Sequence, residues 1–157
     1  MPHKYFTQSI ALAAALLGLD QMTKLWIVAN YALFQGFEVT AFLNIVRVHN
    51  PGAAFSFLAN AGGWQQYFFT VLALGVSAYL LWQMWRAPQQ RLACVAMGLI
   101  VSGALGNVID RLRYGYVVDF IDMHAFGAHW PAFNVADSCI CVGAVLLVAS
   151  EWGKKPE

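Results

Sequence analysis

Long apolar runs separated by short polar stretches dominate the chain: Ser9 to Asn30, Tyr67 to Trp85, Leu92 to Ile109 and Phe133 to Trp152. Each is close to the roughly 20 residues that a helix needs to cross the hydrocarbon of a bilayer. The pattern predicts four spanning helices, which puts both termini on one side. The third run carries no charge from Leu92 to Ile109, whereas the first holds Asp20 and Lys24 and the fourth holds Asp137. The first run, with Lys4 ahead of it and Ala13-Ala14-Ala15 inside it, shares features with a cleaved secretory signal. Its apolar stretch continues past those alanines and three more runs follow, so it is expected to stay as an anchor.

Two stretches between the runs are long enough to be structured. Phe42 to His49 is rich in β-branched residues, Asn50-Pro51-Gly52 supplies a turn, and Ala53 to Leu58 can return as a second strand. An outer β-hairpin over about residues 42–58 is predicted. The stretch of about residues 113–132 mixes Tyr114, Tyr116, Phe120, Phe126 and Trp130 with acids and histidines, a mixture suited to an interfacial loop. The expected fold is a mainly α membrane protein: one integral domain over residues 1–157, with four transmembrane helices, a small extracytoplasmic β-hairpin and an outer interfacial loop.

Composition agrees, at 60% hydrophobic and 11% charged residues. The net charge of +1 and the scattering of nine Lys and Arg argue against a nucleic-acid partner. Lys4, Arg86, Arg91, Lys154 and Lys155 fall on the side of the termini, against Lys24, Arg47, Arg111 and Arg113 on the other. That margin of five to four makes the terminal side cytoplasmic by the positive-inside rule. Glu38, Asp110, Asp119 and Asp122 lie on the outer side, with Asp20 and Asp137 near it. Cys94, Cys139 and Cys141 sit in apolar runs and read as small buried hydrophobes.

Ionisable groups in a span cost on the order of 2.5–3.5 kcal/mol each, so they face the interior and find partners. Asp20 and Lys24 are four apart with the acid first, the favourable order for a helix pair. The pair can orient a helix, or Asp20 can be the proton or cation site of a small dimeric transporter. Gly103 and Gly106 allow close helix approach. They are followed by Asn107 and Asp110, which can share a face, and by Arg111, which can pair with a carboxylate.

Asp119 and Asp137 both stand in apolar frames, Val117-Val118-Asp119-Phe120-Ile121-Asp122 and Phe133-Asn134-Val135-Ala136-Asp137-Ser138. If the fold brings them together, repulsion and desolvation leave one protonated and one ionised, the condition for an acid–base pair acting on water. Otherwise Asp137 caps a helix and Asp119 is a solvated loop acid. Ser56, Ser102 and Ser138 lack a G-x-S-x-G frame. His49, His124 and His129, with Asp122, lack H-E-x-x-H spacing, and neither a metal nor another cofactor is expected.

Five blocks together resemble the lipoprotein signal peptidases, or signal peptidase II. They are Asp20-Gln21 with Lys24, Asn50 through Ser56, Gly103 through Arg111, Val118 through Asp122, and Phe133 through Ser138, in family order across most of the chain. The resemblance implies an aspartyl peptidase of the bacterial cytoplasmic membrane that cuts diacylglyceryl-modified prolipoproteins just before the lipidated cysteine. Asp119 and Asp137 match its catalytic pair. Asn50, Asn107, Arg111 and Asn134 match residues that line the site, and Asp20, Lys24 and Asp110 match supporting positions. It further implies membrane phospholipids as surroundings, inhibition by globomycin, and a monomer.

Overall fold

Eight elements follow one another in the computed structural model, which describes residues 4–52, 63–86 and 90–152. In chain order they are α1 (Lys4–Asn30), β1 (Gly36–Thr40), β2 (Leu43–Asn50), α2 (Trp64–Arg86), α3 (Arg91–Tyr114), β3 (Val117–Ala125), β4 (Ala128–His129) and α4 (Val135–Trp152). The helices α1, α2 and α3 are long and apolar enough to cross a membrane, while the apolar part of α4 is shorter, Val135–Ser150. Large apolar side chains point outward from them, among them Val71, Leu72, Tyr79, Val145 and Val148. Charge is turned inward instead: Asp20 and Lys24 are 1% and 2% exposed. An apolar outside and a paired polar inside suit a helix bundle solvated by lipid.

The helix bounds differ from the apolar runs for a physical reason. The third run ends at Ile109, but α3 continues to Tyr114, because Asp110 and Arg111 find partners without leaving the helix. It stops at Gly115, whose φ of 77° favours glycine and whose N–H reaches the Arg111 carbonyl at 3.0 Å. Arg47 closes α1 in turn, donating to the carbonyls of Val28 and Tyr31 at 3.3 and 2.9 Å.

α3 is the central helix, packed against α1, α2 and α4. Its approach to α4 depends on glycine: a Cβ at Gly103 would strike the Ala136 carbonyl and, at 2.8 Å, Ile140. At Gly143 it would meet the Ala96 carbonyl at 2.7 Å. Gly103→Ala is therefore expected to destabilise by about 1–3 kcal/mol through overpacking, read as a lower melting temperature in detergent. Gly18→Ala, where nothing lies within 4 Å, should be neutral or slightly stabilising.

The sheet is antiparallel in the order β1-β2-β3-β4. β2, the first strand of the hairpin expected over residues 42–58, lies between β1, which precedes it, and β3, from the far side of α2 and α3. The proposed return strand, Ala53 to Leu58, falls outside the described residues. The interfacial loop expected over residues 113–132 contains β3 and β4, since Val117-Val118-Asp119-Phe120-Ile121 has the β-branched and aromatic content of a strand. A second tie joins β3 to the chain entering α4. Phe133 N–H donates to the Ile121 carbonyl at 3.1 Å, and its own carbonyl accepts from Phe120 and Ile121 at 3.0 and 2.8 Å. An apolar cluster of Ile27, Val118 and Phe120 packs this corner against α1.

Candidate active site

The polar side chains meet at the end of the bundle where α1 and α3 finish, α4 begins and the sheet is attached. Asp119, the third residue of β3, is 1% exposed. Its Oδ1 accepts from Asn134 Nδ2 at 2.7 Å and its Oδ2 from Asn50 Nδ2 at 3.0 Å. Asp137, in the first turn of α4, is partly exposed. Its Oδ1 accepts from Asn107 Nδ2 at 2.8 Å.

Asn134 joins the two acids. It caps α4: its Oδ1 accepts the Asp137 N–H at 2.9 Å, and Asp137 Oδ2 accepts the Asn134 N–H at 3.3 Å. This reciprocal arrangement is a capping box with Asp137 at the third helical position. Asp137 therefore does cap the helix, one of the readings open from sequence, and in doing so it shares a partner with Asp119.

Three amides are fixed in orientation by groups that can only donate. The Asp137 N–H needs the oxygen of Asn134, so the Asn134 NH2 faces Asp119. The Gly52 N–H, at 3.1 Å, needs the oxygen of Asn50, so that NH2 also faces Asp119. The Lys24 ammonium, at 3.0 Å, needs the oxygen of Asn107, so that NH2 faces Asp137. Burial, then the charge of Asp137, pushes the Asp119 carboxyl from its ordinary 3.8 up to about 7, against the pull of Asn50, Asn134 and Lys24.

Beneath the pair lies an ionic triad. Lys24 Nζ is 3.0 Å from Asp20 Oδ2 and 3.0 Å from Asp110 Oδ2. Gln21, quoted in the motif but given no role from sequence, donates to Asp20, Asp110 and the Gly106 carbonyl at 3.1, 3.2 and 3.2 Å. The helix pair Asp20 and Lys24 is as expected, and Asp110 is its third member. Arg111 departs from expectation: among the described residues it has no carboxylate within ion-pair distance. It donates to the Gly52 carbonyl at 3.3 Å and lies 5.5 Å from the Phe69 ring centroid.

Asp122 faces elsewhere, accepting from Asn44 at 3.0 Å and lying 2.8 Å from His129 Nδ1. Burial pushes its pKa up, but His129 and Asn44 outweigh that and leave it below the usual carboxylate range. His124 stacks on His129, and His49 stacks on Tyr116 with its Nε2 accepting from Arg47. An open hollow of about 590 Å³ lies over β2 and β3, lined by Val46, Val48, Asp122 and Trp130 among others.

A buried and a partly exposed acid sharing an amide, beside a sheet and a helix bundle, have close relatives. The profile of the family described as signal peptidase (SPase) II matches residues 12–152. A lipoprotein signal peptidase from Janthinobacterium sp. (strain Marseille) is 48% identical over 154 residues, covering 94% of this chain and 93% of the relative. One from Ralstonia nicotianae is 55% identical over 133 residues, covering 85% and 77%. Two solved structures of a bacterial membrane enzyme superpose with TM-scores of 0.85 and 0.84 at 35% identity, the first covering 96% of this chain and 94% of its own. The chain belongs to the signal peptidase II family of lipoprotein signal peptidases and is a membrane protease.

Proposed function

We propose that this peptidase removes the signal peptide from diacylglyceryl-modified prolipoproteins, cutting just before the lipidated cysteine with Asp119, Asp137 and a water molecule. The observation that carries the reading is the Asn134 bridge, which gives two carboxyls a common partner at the edge of the bundle.

The environments of the two acids support unequal roles. Asp137 is partly exposed and stands in the first turn of α4, where the helix dipole favours negative charge. It is the ionised base. Asp119 is buried and holds its proton near neutral pH, and it is the acid. Asp137 takes a proton from water as the oxygen bonds to the scissile carbonyl carbon, and Asp119 protonates the carbonyl oxygen. Asp137 then passes the proton it took from water to the amide nitrogen as the C–N bond breaks, and a hydroxyl of the tetrahedral intermediate returns a proton to Asp119, leaving a new carboxyl group on the signal peptide and a free amine on the lipidated cysteine. Asn50, Asn107 and Asn134 hold the acids, and Arg111 serves the substrate backbone.

In this reading the chain crosses four times with both termini cytoplasmic, and the chemistry belongs near the outer face of the bacterial inner membrane, among phospholipids. There the lipid anchor of the substrate brings the scissile bond to a depth where water is available. Globomycin is expected to occupy the same site, the protein acting as a monomer. A transporter reading loses its proton site, because both Asp20 oxygens are occupied by Lys24, Gln21 and the Ala136 N–H.

Purified protein should cleave a diacylglyceryl-modified prolipoprotein before its cysteine, with or without EDTA, and stop when globomycin is added. Cleavage of the unlipidated precursor at the same rate, or loss of activity in EDTA, would refute this assignment.

A further inference from the structure

Lys24 is 2% exposed and far from any solvent-facing role, yet all three of its N–H bonds are used, at 3.0 Å each, on Asp20, Asp110 and Asn107. What those three partners do next is the informative part. Asp20 Oδ1 accepts the Ala136 N–H at 2.9 Å, and Ala136 immediately precedes Asp137. Asp110 Oδ2 accepts the Val118 N–H at 3.0 Å, and Val118 immediately precedes Asp119. Asn107 passes its amide donor directly to Asp137. One ammonium therefore reaches both members of the acid pair by backbone grips of the same design, and one of them again through a side chain. A merely structural ion pair between helices would have no reason to grip the peptide N–H just before each acid.

We propose that Lys24 is a positioning residue of the cleavage reaction: through Asp20, Asp110 and Asn107 it sets the separation of the Asp119 and Asp137 carboxyls and the direction in which Asn107 donates. This rests on the two-aspartate reading above. Without the ammonium, the Asn107 amide is free to turn its oxygen toward Asp137, where an acceptor faces a carboxylate. The two peptide grips also lose the cation that pairs with their buried carboxylates. The groups facing Asp119 are Asp137, Asn50, Asn134, Lys24 and, at longer range, Arg111. Lys24 is the buried ammonium among them, and its charge favours ionisation of Asp119.

The test uses the purified full chain with a diacylglyceryl-modified prolipoprotein, and activity is counted per folded molecule. Lys24→Met is expected to lower kcat by roughly 100-fold, the scale of a misplacement of about 1 Å, with KM within a few-fold. The pH profile of kcat should move to higher pH as Asp119 ionises less readily. Lys24→Arg keeps the charge but not three convergent bonds, so it should lose kcat while shifting the profile less. If Lys24→Met does not fold, the double variant Lys24→Met/Asp20→Asn removes one acid with the cation, and its kcat and profile are read in the same way. Wild-type kcat and an unmoved profile in the variants that fold overturn the proposal. So does a loss that is entirely in KM or in the amount of folded protein. The two-aspartate reading fails separately, through retained cleavage in Asp119→Asn or Asp137→Asn, whatever Lys24 does.

Discussion

Asp119→Asn is expected to stop cleavage and to abolish a loss of stability that the wild type suffers as the pH rises toward neutral. Loss of one partner of an acid–base pair removes on the order of 10²–10⁴ of the rate. That loss of stability follows from the sign of the pKa displacement. In the folded protein the carboxyl is raised from 3.8 to about 7, so the folded state binds the proton more tightly than the unfolded one. Below about 4 both states are protonated and Asp119 costs nothing. As the pH rises from about 4 to 7 the unfolded chain ionises first and stability falls, and above 7 the full cost remains. At about 1.4 kcal/mol per unit, the wild type should lose roughly 1–4 kcal/mol relative to the asparagine variant between pH 4 and pH 8, on top of a pH-independent cost in the variant, whose single amide oxygen cannot accept from both Asn50 and Asn134. Melting temperatures of both proteins across that range check it: parallel curves would contradict the raised pKa of Asp119. Asp137→Asn should be equally inactive.

Asn134→Ala should have the next largest effect, because one amide both caps α4 and donates to Asp119. The lost cap costs about 0.5–2 kcal/mol, and misplacement of the pair lowers kcat by about 100-fold. Its pH signature is specific. Asn134 holds the Asp119 pKa down, so removing it raises that pKa further. With Asp119 as the acid, the alkaline limb of the rate profile moves to higher pH and the acid limb stays. A moving acid limb would instead make Asp119 the base and reverse the proposed roles. Asn107→Ala, which touches Asp137 and not Asp119, is the control whose effect should fall on the other limb.

Much of this arrangement was legible in the residues, and what was not is instructive. The four apolar runs announce the helices because lipid demands an apolar exterior. Asp20 and Lys24 announce a pair because they sit one helical turn apart inside such a run. Nothing local to β2, by contrast, says whether its neighbour is the next segment or one some seventy residues on. That choice is made by the register that sets Asn44 opposite Asp122 and Val48 opposite Asp119, a tertiary fact. β1 was missed because five residues between a helix and a turn look like a connection. The links from Asp20 and Asp110 escaped for another reason: they end on the peptide N–H groups of Ala136 and Val118, and a backbone donor is the same at every position but proline. Gln21, inconspicuous beside Asp20, had no signal beyond its place in the motif.

The three amides around the acids have one more consequence. Each is locked by a donor that cannot become an acceptor: a peptide N–H, another peptide N–H and an ammonium. When a proton passes between the carboxyls and the negative charge changes sides, none of these dipoles can rotate to follow it. In water, molecules would have to turn at every such step, and that turning is a large part of a barrier. Here the reorientation was completed when the chain folded, so the solvation each charge state needs is already built into the protein before substrate arrives.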